Sequence, residues 1–205
     1  MEIASGIIGL MFVISNSLLY PVIISLLILV GVSFIIFGQL ISEYASRSRD
    51  LHRLKAGLKL ARENIEFKNF KEASRVLSTS GSNFLLESFI KDLTATIDDA
   101  NFSIEAEKLL QDYELRISHE LEVPRLISRI APMIGLMGTL IPLGPALMGL
   151  SSGNIEALAS NLAIAFATTV LGILTGGVAY AVLIVKKRWY TQDLSDMEYV
   201  VEVLK

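Results

Sequence analysis

Residues 125–190 read RLISRIAPMIGLMGTLIPLGPALMGL, then SSGNIEA, then LASNLAIAFATTVLGILTGGVAYAVLIVKKRWY. Within them, Ile130–Leu150 and Leu158–Val185 are apolar runs. At about 1.5 Å per helical residue, each is long enough to cross a hydrocarbon layer about 30 Å thick. The short polar break between them makes the pair a membrane hairpin. Its composition is unusual for spans: Gly135, Gly138, Gly144, Gly172, Gly176 and Gly177 are set among Ala and Thr, and Pro132, Pro142 and Pro145 interrupt one helix. Small residues let backbones approach in lipid, where packing rather than a hydrophobic drive holds helices together. These helices are built to touch other helices.

A third apolar run precedes them. Leu18–Ile41 contains no charged residue, with Tyr20 as an interfacial anchor and Pro21 in the first turn, where its missing N–H costs least. Before it, residues 1–17 are apolar and have no basic leader region, so they do not read as a cleavable signal peptide. They read as a short interfacial helix, with Ile7, Ile8, Leu10, Met11 and Ile14 against the headgroup boundary. The expected fold is an all-α membrane protein with three transmembrane helices and a helical extension.

Orientation follows from the basic residues. All 18 Lys and Arg lie between Arg47 and Arg129 or between Lys186 and Lys205. The positive-inside rule then places the amino terminus and the 151–157 link outside, and residues 42–125 and 186–205 in the cytoplasm. The spans are 18–41, 126–150 and 158–185, in a multi-pass protein of the cytoplasmic membrane. Arg125, Arg129, Lys186, Lys187, Arg188 and Trp189 serve as anchors at the cytoplasmic boundary.

The middle region is charged and helix-friendly. Leu51, Leu54, Leu58, Ala61 and Ile65 fall on one helical face, Ser78–Asn83 reads as a turn, and residues 84–123 hold one helical tract or two shorter ones, with a break near Asp98, Asp99 and Asn101. This region either bundles the helix ends or docks a cytosolic partner. The tail, residues 191–205, reads as a short amphipathic helix with Leu194, Met197, Tyr199, Val200, Val203 and Leu204 for packing.

Composition narrows the chemistry. With 52% hydrophobic residues the chain belongs to the membrane class, and a large soluble core is not expected. It has no Cys, its two His are far apart without ligand spacing, and its net charge of −3 gives no support for nucleic-acid binding. No metal, cofactor or covalent chemistry is expected. The three spans contain no Asp, Glu, Lys, Arg or His. Any titratable group at membrane depth must therefore come from a partner.

The spans do supply hydroxyls. Pro132, Gly135, Thr139, Pro142 and Ala146 share one face of the second span by spacing; Ala165, Thr169, Gly172 and Gly176 share a face of the third, beside Thr168, Gly172, Thr175 and Ala179. The two stripes could meet each other or a guest helix. Threonines in spans commonly bond their own helix and do nothing more. Pro142, however, frees the carbonyl of Gly138, which makes a wettable site near Thr139 plausible.

The segments Ala131–Leu140 (APMIGLMGTL) and Ala165–Ile173 (AFATTVLGI) resemble the second-span and third-span signatures of the MotA/TolQ/ExbB proton-channel family. The topology resembles its TolQ/ExbB branch. Two departures stand out: the position where that branch carries a third-span Glu holds Ile164, and its Gly-Thr-Val-x-Gly is here Gly138-Thr139-Leu140-Ile141-Pro142. The resemblance implies a homo-oligomeric ring of five subunits around the single spanning helices of two copies of an ExbD/TolR/MotB-like partner bearing an essential membrane Asp. It implies Thr139 and Thr169 as pore-lining hydroxyls, with Thr168 a further candidate. Gly135, Gly138, Gly172 and Gly176, with Pro132 and Pro142, are the helix-packing positions. The function implied is a proton-driven motor; a sodium-driven motor and a non-conducting scaffold are the alternatives.

Overall fold

The computed structural model describes residues 2–47, 51–66, 72, 75–76, 84–96 and 101–204, and among them every regular element is an α-helix. The helices are α1 (Glu2–Ser17), α2 (Leu19–Ser46), α3 (Leu51–Glu66), α4 (Phe84–Ala95), α5 (Phe102–Glu120), α6 (Glu122–Ser151) and α7 (Ile155–Leu204). Three helical stretches, ending at Ser46, Ser151 and Leu204, are long and apolar enough to cross a membrane. The chain divides into two compact units, Met1–Gln39 with Val123–Leu183, and Leu40–Glu122 with Ile184–Lys205.

In the first unit α6 and α7 form the hairpin that the sequence announces. Its connection is shorter than the predicted 151–157 link. Asn154 accepts a hydrogen bond from the Ala157 N–H at 2.9 Å through its side-chain oxygen, so Ile155, Glu156 and Ala157 already form the first turn of α7. Gly153 takes the left-handed φ of 73° that the reversal demands, which glycine adopts at little cost. Pro132, Pro142 and Pro145 all lie inside α6 without ending it. The expected interfacial segment is helical: α1 is apolar around most of its circumference, with Ile7, Ile8, Leu10, Met11 and Ile14 exposed.

The second unit has a core of its own. Leu54, Leu58 and Ala61 of α3, Leu86, Phe89, Ile90 and Leu93 of α4, Ala106 and Tyr113 of α5, and Met197, Val200, Val201 and Leu204 of α7 are buried together. The expected α3 face is thus realised at Leu54, Leu58 and Ala61; the side chains of Leu51 and Ile65 lie outside the described residues, as do the predicted turn at 78–83 and Asp98 and Asp99. Of the two readings of residues 84–123, the structure has two helices, with Asn101 at the start of the second.

The tail is not a separate helix. α7 continues without a break through residues 186–204, because Thr191–Asp196 contains neither Pro nor Gly and Asp193 and Asp196 are buried instead of meeting solvent. Phe89 and Tyr113 meet edge to face at 5.2 Å, and the Tyr113 hydroxyl donates to Asp92 at 2.7 Å. Burial, and next the bond to Asp92, push Tyr113 up to about 12.

Candidate functional site

The hairpin is closed by missing side chains. A Cβ on Gly135 would stand 3.0 Å from both the Gly172 Cα and the Thr168 carbonyl oxygen; on Gly138 it would stand 2.6 Å from the Thr168 Cβ; on Gly176, 2.6 Å from the Pro132 ring. Near the connection, Gly149 lies against Ala157. Gly135, Gly138, Pro132, Thr168, Gly172 and Gly176 are therefore brought together between the two helices. The predicted stripes meet each other. The buried line on α6 runs Ala131, Gly135, Gly138, Pro142, Ala146, Gly149, and passes beside Thr139 instead of through it.

The order of these contacts, with rising numbers on α6 meeting falling numbers on α7, makes the helices antiparallel. Each residue advances about 100° around its helix. In an antiparallel pair, the residue that follows each contact position turns to the same side of the hairpin. Thr139 follows Gly138, Thr169 follows Thr168, and Gly138 meets Thr168. Thr139 and Thr169 thus stand at one level on one side, both half-buried. Leu136, Leu143, Phe166 and Ile173 share that side by their three- and four-residue spacing and are exposed. Gly144 lies on the other side, where the ring of Phe12 in α1 comes within 3.2 Å of the position its Cβ would take. One side of the hairpin is covered there by α1. The threonine side is open.

Each hydroxyl bonds its own helix. Thr139 donates to the Leu136 carbonyl at 2.6 Å, Thr169 to Ala165 at 3.2 Å, Thr175 to Leu171 at 2.7 Å, and Thr168 to Ile164 and Ala165 at 3.0 and 2.9 Å. Thr168 differs from the other two candidates in being buried, 5% exposed, against Gly138. Its place is in the packing. Among the described residues no group of three or more His, Cys, Asp or Glu could hold a metal ion.

The boundary residues divide. Arg125, Arg129, Lys187 and Arg188 are exposed. Lys186 is buried and paired with Glu43 at 3.2 Å, and Trp189 stacks on Tyr44 with ring centroids 6.1 Å apart. Sequence reasoning missed Glu43, Arg47 and Asp193 altogether: their partners are distant in the chain, so no local spacing signals them. Arg47 donates to Asp193 at 2.5 Å and to the Trp189 carbonyl at 3.2 Å. The Tyr190 hydroxyl donates to Glu43 at 3.3 Å; burial first, then the Glu43 charge, push that hydroxyl well above its ordinary value.

Three helices long and apolar enough to cross a membrane, two of them packed together through small residues, fit a multi-pass membrane protein. Residues 70–199, more than half of the chain, match the MotA/TolQ/ExbB proton channel family, and the chain belongs to it. No curated protein matches the chain.

Proposed function

We propose that this chain is the pore-forming subunit of a proton-motive-force-driven membrane motor. Five copies form a ring around the single spanning helices of two copies of an ExbD/TolR/MotB-like partner, in the cytoplasmic membrane, with the amino terminus outside and residues 42–125 and 186–205 in the cytoplasm. The open side of the hairpin is the observation that carries this reading. It offers two hydroxyls at one level, set in exposed apolar residues and without an acid of its own, which suits a guest helix that brings the titratable group. Thr139 and Thr169 line the proton path, and Arg125, Arg129, Lys187, Arg188 and Trp189 hold the cytoplasmic boundary. Moving one charge through 100 mV releases about 2.3 kcal/mol, so a few protons per step suffice for conformational work.

The test is to purify the complex with its co-expressed single-span neighbour, count subunits by native mass spectrometry, and measure proton flux in proteoliposomes. Five subunits with two Asp-bearing partner chains and a proton flux are expected. Flux that follows Na⁺ at fixed pH would instead establish the sodium-driven motor. A ring with no such partner and no flux would leave a scaffold.

A further inference from the structure

In the second unit, α2 and the residue that follows it meet α7 at a tier of charged side chains. Lys186 contacts Glu43 at 3.2 Å and the Tyr190 hydroxyl at 3.4 Å, and that hydroxyl closes the triangle at 3.3 Å from Glu43. One step along, Arg47 bonds Asp193 and the Trp189 carbonyl, reaches Glu43 at 3.8 Å, and lies 5.2 Å from the centre of the Trp189 ring. Asp193 and Lys186 are buried, and Arg47 is nearly so. Glu43 and Asp193 here face Lys186 and Arg47.

Stability alone is a poor reason for this arrangement, because well-packed apolar side chains of similar volume hold helices as firmly as buried ion pairs do. What apolar side chains do not supply is uniqueness. The buried line on α7 recurs at three- and four-residue intervals through Ala179, Val182, Lys186, Tyr190, Asp193, Met197 and Val200. Slid by one turn, about 5.4 Å, an all-apolar line of this kind would present nearly the same surface. With the charged tier in place, the same slide separates Glu43 from Lys186 and Arg47 from Asp193, and both contacts between the helices are lost. A polar residue in an otherwise apolar seam is the best-attested device for fixing helix register.

We propose that Glu43, Arg47, Lys186 and Asp193 are positioning residues that set the longitudinal register of α7 against α2. The proposal rests on this tier alone and stands or falls independently of ion conduction. The chain has no Cys, so introduced cysteine pairs can be read without background in the full-length protein in its membrane. The pair Tyr44→Cys with Trp189→Cys reports the native register, and Tyr44→Cys with Val185→Cys reports a one-turn slip. With the tier intact, native cross-linking is expected to exceed slipped cross-linking by about tenfold or more. With Glu43→Gln, Arg47→Gln, Lys186→Gln and Asp193→Asn combined, that preference is expected to disappear. Its persistence, with only a lowered melting temperature, would overturn the proposal. Should the neutralised variant not accumulate, Glu43→Lys decides, because it sets two cations against each other: a native preference that is lost there and restored by adding Lys186→Glu supports register setting, and a preference that Glu43→Lys leaves unchanged refutes it.

Discussion

Gly135 and Gly172 meet back to back across the α6–α7 hairpin, so closely that a Cβ on Gly172 would stand 2.7 Å from the Gly135 Cα and 2.8 Å from the Ala131 carbonyl oxygen. These neighbours are backbone atoms and have no rotamer to yield. Gly172→Ala is therefore expected to push the helices apart and cost about 1–3 kcal/mol. Gly177→Ala, which meets nothing within 4 Å, should be neutral or raise stability by up to about 1 kcal/mol through helix propensity. Thermal melting of the two purified variants in detergent checks the contrast.

Gly138 and Thr168 form a second contact in which the obstacle is a side chain. Gly138→Ala should destabilise the hairpin in the native background and cost little once Thr168 is Ala as well. The double-mutant cycle is expected to give a coupling of about 0.5–3 kcal/mol. Additive losses would show that the two positions do not share one contact.

Thr139→Val and Thr169→Val act on half-exposed side chains whose hydroxyls bond only their own helices, so both variants should melt close to the native temperature. Their effect belongs to transport. If each hydroxyl supplies one hydrogen bond of about 1.4 kcal/mol to the moving proton or its carrier, each loss lowers flux about tenfold. Native melting with native flux in the double variant would remove both residues from the path.

Phe89 is fully buried in the second unit and packs edge to face on Tyr113. Truncation to Ala should cost about 3–5 kcal/mol, among the largest single losses in this unit. The exposed pair Lys108–Asp112 is a useful counterpart: breaking it by Asp112→Asn should change stability by less than about 0.5 kcal/mol.

Tyr113 gives the second unit an alkaline limit. Its hydroxyl titrates near 12 in the fold against 10.0 when free, so between these values the folded chain binds more protons than the unfolded one. Stability conferred by the neutral hydroxyl is complete below about pH 10 and is lost as pH rises toward 12. Tyrosinate absorbance titrations of the native chain and of Tyr113→Phe should differ by one tyrosine that ionises near pH 12. Tyr113→Phe should flatten the fall in melting temperature above pH 10.

The spans were legible because uncharged runs of this length have few other uses, and the hairpin partners were legible because Gly and Pro recur at helical spacing. Spacing alone could not separate Thr139 from Gly138. They are neighbours on the helix, and only the approach of Thr168 shows which of the two lies in the contact and which beside it. The same contact moves Thr168 from the candidate lining into the packing. Lys186 reads locally as one of three boundary cations. Its burial depends on Glu43 in the first long helix, and pairings of that kind leave no mark in local sequence. Spacing shows the tail as a short amphipathic helix but not that it continues the third span. Asp193 is in fact 1% exposed and held by Arg47, so the helix has no reason to stop.

The self-bonded threonines have an electrical consequence. A hydroxyl carries one proton and two lone pairs, and at Thr139 and Thr169 the proton is already given to the helix's own carbonyl. What remains on the open side of the hairpin is electron density alone. A species with hydrogen to donate, such as a protonated carboxyl or a hydrated proton, finds acceptors waiting there, while a chloride ion finds no donor. If this side lines an ion path, as proposed above, a wall without a single fixed charge would discriminate by sign, turning anions away through the orientation of two hydroxyls.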